Sequence, residues 1–262
     1  MKLKCIGCEV LARPIYHSAA LSPHVVDVEL LPRGLHNQPA DLRARLQAIV
    51  DASGELGYDA ILLAYGLCGQ ATSGLIAPTV PVVIPRAHDC ITLFLGSRQR
   101  YNEQFEGFPG TYWYTQDYVE RYAGSGASLS LGSGTQAELQ GVYEEYVSKY
   151  GQDNADYLME VTGAWQKHYR RAVYIELGLG DGSATEAQAK DEAARRGWAF
   201  ERLAGDLVLI RRLLIGDWQE DYLVLPPGHR VVMSYDEAVI ACKSPSQTDL
   251  VQNMDTINHA YQ

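Results

Sequence analysis

Apolar residues along the first hundred positions fall into short runs, separated by stretches with helical spacing. Residues 2–7 read as a strand, followed by a helix over 9–18. Residues 24–31, His-Val-Val-Asp-Val-Glu-Leu-Leu, alternate apolar and polar side chains, and Pro32 ends the run. That alternation is the period of a strand. A loop over 33–39 follows, and then Leu42, Leu46, Ile49 and Val50 share one face of a helix over 40–56. The continuous run Ala60-Ile61-Leu62-Leu63-Ala64 within 59–65 has the pattern of a strand buried on both sides. A short helix is expected over 70–77, a fourth strand over 80–84, and a helix opening near Asp89 or Cys90. Strands alternating with helices in this order predict a parallel sheet with right-handed crossovers.

The middle of the chain has a different character. Residues 101–122 are aromatic and irregular, 124–134 are a Gly/Ser-rich connector, and 136–170 are helix-like with a break at Gly151. The strand–helix pattern then resumes. Strands are expected at Ala172–Leu177, Trp198–Leu203 and Tyr222–Leu225. Helices are expected at Ala184–Arg196, with Gly197 as C-cap, and at Asp206–Ile215. Pro226-Pro227-Gly228 reads as a turn, and the polar tail from Lys243 as an extended arm. The fold class is therefore α/β: parallel sheets with flanking helices, in two Rossmann-like halves with a helical insertion. The segments are 1–100, 101–170 and 171–262.

Composition narrows the function. A chain of 262 residues with 47% hydrophobic content has ample material for a core. A formal net charge of −10, with acidic residues dispersed, disfavours a nucleic-acid binder. No run approaches the roughly 20 apolar residues that span a membrane, and the N-terminus lacks the pattern of a signal peptide. A cytoplasmic, reducing location is expected. Five cysteines, an odd number in a chain this long, do not suggest a disulfide framework. Tyrosine outnumbers phenylalanine 17 to 4, a bias found in polar pockets and interfaces.

Reactive side chains gather where expected strands give way to loops: Cys5-Ile-Gly-Cys-Glu9, Tyr65-Gly-Leu-Cys-Gly69 and Arg86-Ala-His-Asp-Cys90. Ligands of open α/β sheets bind at the carboxyl ends of strands. If these strands are neighbours, Cys68, His88 and Cys90 can meet at one point, joined by Cys8. Thiolates and imidazole are zinc donors, and a catalytic zinc keeps one position open. Cysteine is also a common core residue. Cys5, facing away from Cys8 on a strand, and Cys242, in a late apolar run, fit that role. Glu9 and His36 are candidate proton-transfer groups, and Arg86 a candidate anchor for a substrate anion. Asp89 can orient His88 or cap the following helix. Tyr65, Gly66 and Gly69 would line the bound group, the glycines allowing close backbone approach. Neither a nucleotide-binding glycine motif nor a nucleophile elbow occurs.

Tyr65–Gly69, Ile84–Ser97, Lys149–Ala155 and Gly216-Asp-Trp218 together resemble the family catalogued as domain of unknown function 1638, over about residues 3–240. That resemblance implies an association with corrinoid-dependent methyltransferase systems of anaerobic bacteria and archaea. His88-x-Cys90 is also similar to part of the His-x-Cys…Cys zinc site of corrinoid-dependent thiol methyltransferases. Here, however, the further cysteine precedes the pair, and the chain is too short for the barrel of those enzymes.

The leading expectation is a metal-dependent transferase of one-carbon or methyl-transfer metabolism. Zinc on Cys68, His88 and Cys90 would activate a thiol or other soft group of a small-molecule substrate. A second possibility is an iron–sulfur enzyme with a [4Fe–4S] cluster on Cys8, Cys68 and Cys90, leaving His88 as a base. A third is a non-catalytic metal carrier or accessory protein of a corrinoid methyltransferase, docking through 101–122 with Tyr112 and Trp113.

Overall fold

The computed structural model describes residues 1–121, 144, 147–148, 151–152 and 169–245. The expected connector over 124–134, most of the helix-like stretch over 136–170 and the end of the tail lie outside the described residues. In chain order the strands are β1 (Lys2–Cys8), β2 (Val25–Leu31), β3 (Ala60–Ala64), β4 (Val82–Pro85), β5 (Thr111–Tyr114), β6 (Arg171–Glu176), β7 (Ala199–Ala204), β8 (Tyr222–Leu225), β9 (Arg230–Met233) and β10 (Ile240–Lys243). The helices are α1 (Ala12–Ala20), α2 (Pro39–Ser53), α3 (Cys90–Leu95), α4 (Arg98–Gly107), α5 (Gln116–Glu120), α6 (Ser183–Arg196) and α7 (Val208–Leu214). Two compact units form, one from 1–98 with 206–262, the other from 99–205. The protein is thus α/β, with parallel strands and flanking helices.

The first unit holds a five-stranded sheet in the order β2-β1-β3-β4-β8. The strands β2, β1, β3 and β4 are parallel, as expected, and β8 runs antiparallel to β4. Side-chain alternation splits this sheet's core in two. Ile6, Ile61, Leu63, Val82 and Ile84 pack in one cluster with Leu42, Leu46 and Val50 of α2. The intervening Gly7 faces Ile15 of α1, whose Cδ1 would lie 2.4 Å from an added Cβ. α1 packs beside α7, and α7 reaches β3 and β4. Helices therefore cover both faces, which explains why β3 is apolar at all five positions. Each of its leucines, fully buried, contributes about 1.5–3 kcal/mol.

The second unit holds a parallel three-stranded sheet, β5-β6-β7, with α6 against it. α6 presents Thr185, Ala189 and Ala193 to the core and ends at Gly197 in the left-handed conformation, as expected for its C-cap. Tyr112 packs against Tyr114, Tyr169 and Trp198 within this unit.

Several local expectations are corrected. Residues 70–77 form no helix, because the chain turns tightly over 68–74. Residues 101–121 are regular, comprising most of α4, then β5 and α5. β9 and β10 pair as an antiparallel hairpin that includes the start of the polar tail. No helix among the described residues is long and apolar enough to cross a membrane.

Candidate functional site

β1 connects through α1 to β2 on one side, and α2 returns the chain across the other face to β3. The crossovers therefore diverge between β1 and β3, and a crevice opens at such a point beyond the strands' carboxyl ends. Cys8 ends β1, level with Leu31 on one side and one position beyond the Gly7–Ala64 pair on the other. Tyr65–Cys68 follows β3, and Arg86–Cys90 follows β4.

These last two loops are fastened by their backbones. Leu67 N–H donates to Ala87 O at 2.8 Å, and Cys68 N–H to His88 O at 2.9 Å. Gly66 makes that contact possible: a Cβ there would stand 2.7 Å from Asp89 N, 2.8 Å from its Cα and 2.9 Å from Ala87 O. The Thr72 hydroxyl donates to Gly66 O at 3.2 Å, holding the loop from behind. Beyond it, Cys68, Gly69 and Gln70 all have positive φ, at 46°, 63° and 73°. Two of the three are not glycine, a strained arrangement of the kind that clusters at functional sites.

Cys8, Cys68 and Cys90 are free, half-buried thiols. Burial pushes Cys8 up to about 11, with the Glu9 charge adding and the Val10 N–H and Arg33 opposing. Burial pushes Cys68 up to about 12, reinforced by Cys8 and Asp89. Cys90 is raised well above the usual thiol range by burial, then by Asp89, Cys68 and Cys8. Cys68 and Cys90 thus both sense Cys8, and Cys90 senses Cys68. One thiol from each of three neighbouring strand ends thus lies within electrostatic reach of the others. Tyr65 joins them. The residue is 3% exposed, and its hydroxyl has no hydrogen-bond partner among the described residues. Burial raises this phenol far above the usual range, and Cys8, Cys68 and Glu9 add to the effect.

The other candidates have distinct placements. Glu9 opens a 3-10 turn, Glu9–Leu11, and its Oε1 accepts the Arg33 N–H at 2.9 Å. Arg33, buried at 6% exposure, was not singled out from sequence; its burial follows from the end of β2 lying beside Cys8. His36 lies in the 3-10 turn Arg33–Asn37, its side chain outside the described residues. Arg86 donates to the carbonyls of Ala238 and Ile240, tying down the β9–β10 hairpin. Asp89 caps α3, accepting the Ile91 N–H at 2.9 Å. The His88 side chain is exposed, and its carbonyl serves the loop contact. Cys5 is fully buried in the core, whereas Cys242 is exposed on β10. Among the described residues no group of three His, Cys, Asp or Glu is disposed to hold a metal ion.

A family model described as "Protein of unknown function (DUF1638)" matches residues 30–214. That match covers well over half of the sequence, and the chain belongs to this family. No curated protein and no solved structure matches it.

Proposed function

We propose that this DUF1638 member is a metal-dependent enzyme whose centre is held by Cys8, Cys68 and Cys90. The observation that carries the reading is the placement of three half-buried thiols at the carboxyl ends of three adjacent strands, β1, β3 and β4. A donor set of soft sulfur suits zinc or an iron–sulfur cluster. The exposed side chain of His88 favours this all-cysteine set over Cys68, His88 and Cys90. Binding would require the thiols to turn toward one another and shed their protons, so affinity would rise with pH. Arg33, beside Cys8, would offset part of the resulting negative charge.

A three-ligand centre leaves a coordination position for a soft substrate group, such as a thiol. The assignment to one-carbon or methyl-transfer chemistry rests on the family resemblance. A corrinoid or methyltransferase protein is the partner class that resemblance suggests. We also take the two sheets, the first parallel but for β8, as Rossmann-like halves, and the five free thiols as suited to a reducing cytoplasm.

The test is metal and sulfide analysis with a visible spectrum on protein purified without oxygen. About one centre per chain is expected, lost in Cys8→Ala, Cys68→Ala and Cys90→Ala and kept in His88→Ala. Zinc without colour selects the thiol-activating form; iron with sulfide and absorption near 400 nm selects the cluster. Retention of metal in all three cysteine variants, or no metal after reconstitution, defeats the proposal.

A further inference from the structure

Tyr65, at the carboxyl end of β3, is a buried polar group whose hydroxyl is unspent. Its hydroxyl is shut away from water and has no hydrogen-bond partner among the described residues. Leaving such a group unsatisfied costs about 1–3 kcal/mol. Phenylalanine would fill the same space without that cost, so packing alone does not account for tyrosine here. The ring belongs to the core cluster against which Cys8, Leu67 and Cys68 also pack, at the start of the loop that runs on to Cys68. Immediately after it the chain bends through Gly66 into the strained turn at Cys68. The ring is thus held by packing and strand, and its polar end alone lacks a match.

We infer that the Tyr65 hydroxyl donates a hydrogen bond to the ligand that occupies the three-thiol crevice, and that this ligand is a small molecule presenting an acceptor oxygen or a thiolate. The inference rests on the crevice being a ligand site, and it goes beyond the metal by assigning a group that recognises the bound molecule. The hydroxyl carries one O–H donor, and its burial leaves that donor no water to bond. An unmatched O–H calls for an acceptor atom. The ligand therefore supplies the lone pair, and a molecule offering only donors or only apolar surface is disfavoured.

Tyr65→Phe is the test, read in two stages. In metal-free protein the variant should melt at the wild-type temperature or above, because no hydrogen bond is lost. A clear drop would show a structural partner for the hydroxyl and overturn the inference. Both proteins are then loaded with cobalt(II) and titrated with mercaptoacetate, which carries a thiol and a carboxylate, following the cobalt–thiolate absorption band. Cobalt content should be equal, and mercaptoacetate should bind about tenfold more weakly to the variant, the worth of one hydrogen bond. Equal affinity, or loss of cobalt in the variant, overturns the inference. If wild type takes up no cobalt, the metal reading fails by itself. Mercaptoacetate is then titrated calorimetrically into the metal-free proteins. A weaker variant there sustains the role of Tyr65 without a metal, while no wild-type binding or equal binding ends it.

Discussion

Replacing Gly66 with alanine should separate the two loops that form the site. The added Cβ would meet Asp89 N at 2.7 Å, Asp89 Cα at 2.8 Å and Ala87 O at 2.9 Å. All three are backbone atoms, so no flexible side chain can swing aside. The chain must move, and the contacts nearest the clash are the bonds from Leu67 N–H and Cys68 N–H, at 2.8 and 2.9 Å. Two backbone hydrogen bonds contribute about 0.5–1.5 kcal/mol each, and overpacking costs about 1–3 kcal/mol. Together the loss is roughly 2–6 kcal/mol, a large fraction of the about 5–15 kcal/mol that stabilises a typical domain. The assay is hydrogen exchange at the amides of Leu67 and Cys68, with thiol labelling of Cys68 and Cys90 by an aromatic disulfide. Both should speed up strongly in Gly66→Ala. Gly107→Ala is the control, because nothing lies within 4 Å of its added Cβ. Wild-type exchange and labelling in Gly66→Ala would refute the claim that close backbone approach builds the site.

Three further outcomes follow from single contacts. Asp89→Ala removes the cap on the Ile91 N–H and should cost about 0.5–2 kcal/mol, whereas Asp89→Asn should retain most of it; equal losses in urea unfolding would assign Asp89 another role. Arg86→Met frees the carbonyls of Ala238 and Ile240, so hydrogen exchange over β10 should quicken while Leu67 and Cys68 stay protected; an unmoved β10 would show that the hairpin holds without the guanidinium. Burial pushes Cys5 up to about 12, with Lys4 opposing, and burial and then Asp27 push Tyr58 up to about 12. The unfolded chain loses these protons near 9 and 10, whereas the native chain keeps them to about 12. Their contribution is therefore complete below pH 9 and falls as pH rises toward 12, so the urea midpoint should drop across that interval, less steeply in Tyr58→Phe. A Tyr58→Phe slope identical to wild type would contradict the assignment.

The parallel sheet was legible because its strands obey two simple patterns. β3 is apolar at every position and β2 alternates, and each is bounded by Gly, Pro or polar residues. α2 was legible from Leu42, Leu46 and Val50, which do line its buried face. Residues 70–77 misled because Ala71, Leu75 and Ala77 are buried by tertiary packing rather than by a helical stripe. The turn there uses positive φ at Cys68 and Gln70, which no propensity foretells. The β9–β10 hairpin escaped notice because each strand is only four residues long and half exposed.

The site itself was legible in its residue types but not in their directions, and His88 and Cys90 show why. They share the loop after β4, and on extended chain residues two apart would point the same way. Extended geometry holds through Asp89, whose φ of −155° and ψ of −175° are those of a strand. At Cys90 the chain enters α3, and successive residues step around the helix axis instead. The alternation linking positions 88 and 90 is broken at its last step: Ala87 is buried, His88 exposed and Cys90 half-buried with the other thiols. Cys8 gains by the same logic. It ends β1 on the α2 side of the sheet, in phase with Ile6, and level with the loop that carries Tyr65. Arg33 carried no signal because its burial depends on the neighbour of β1, not on its own segment. Side-chain direction at a strand end is set by what the next element is. A strand's carboxyl end therefore does not aim its side chains as the strand before it does.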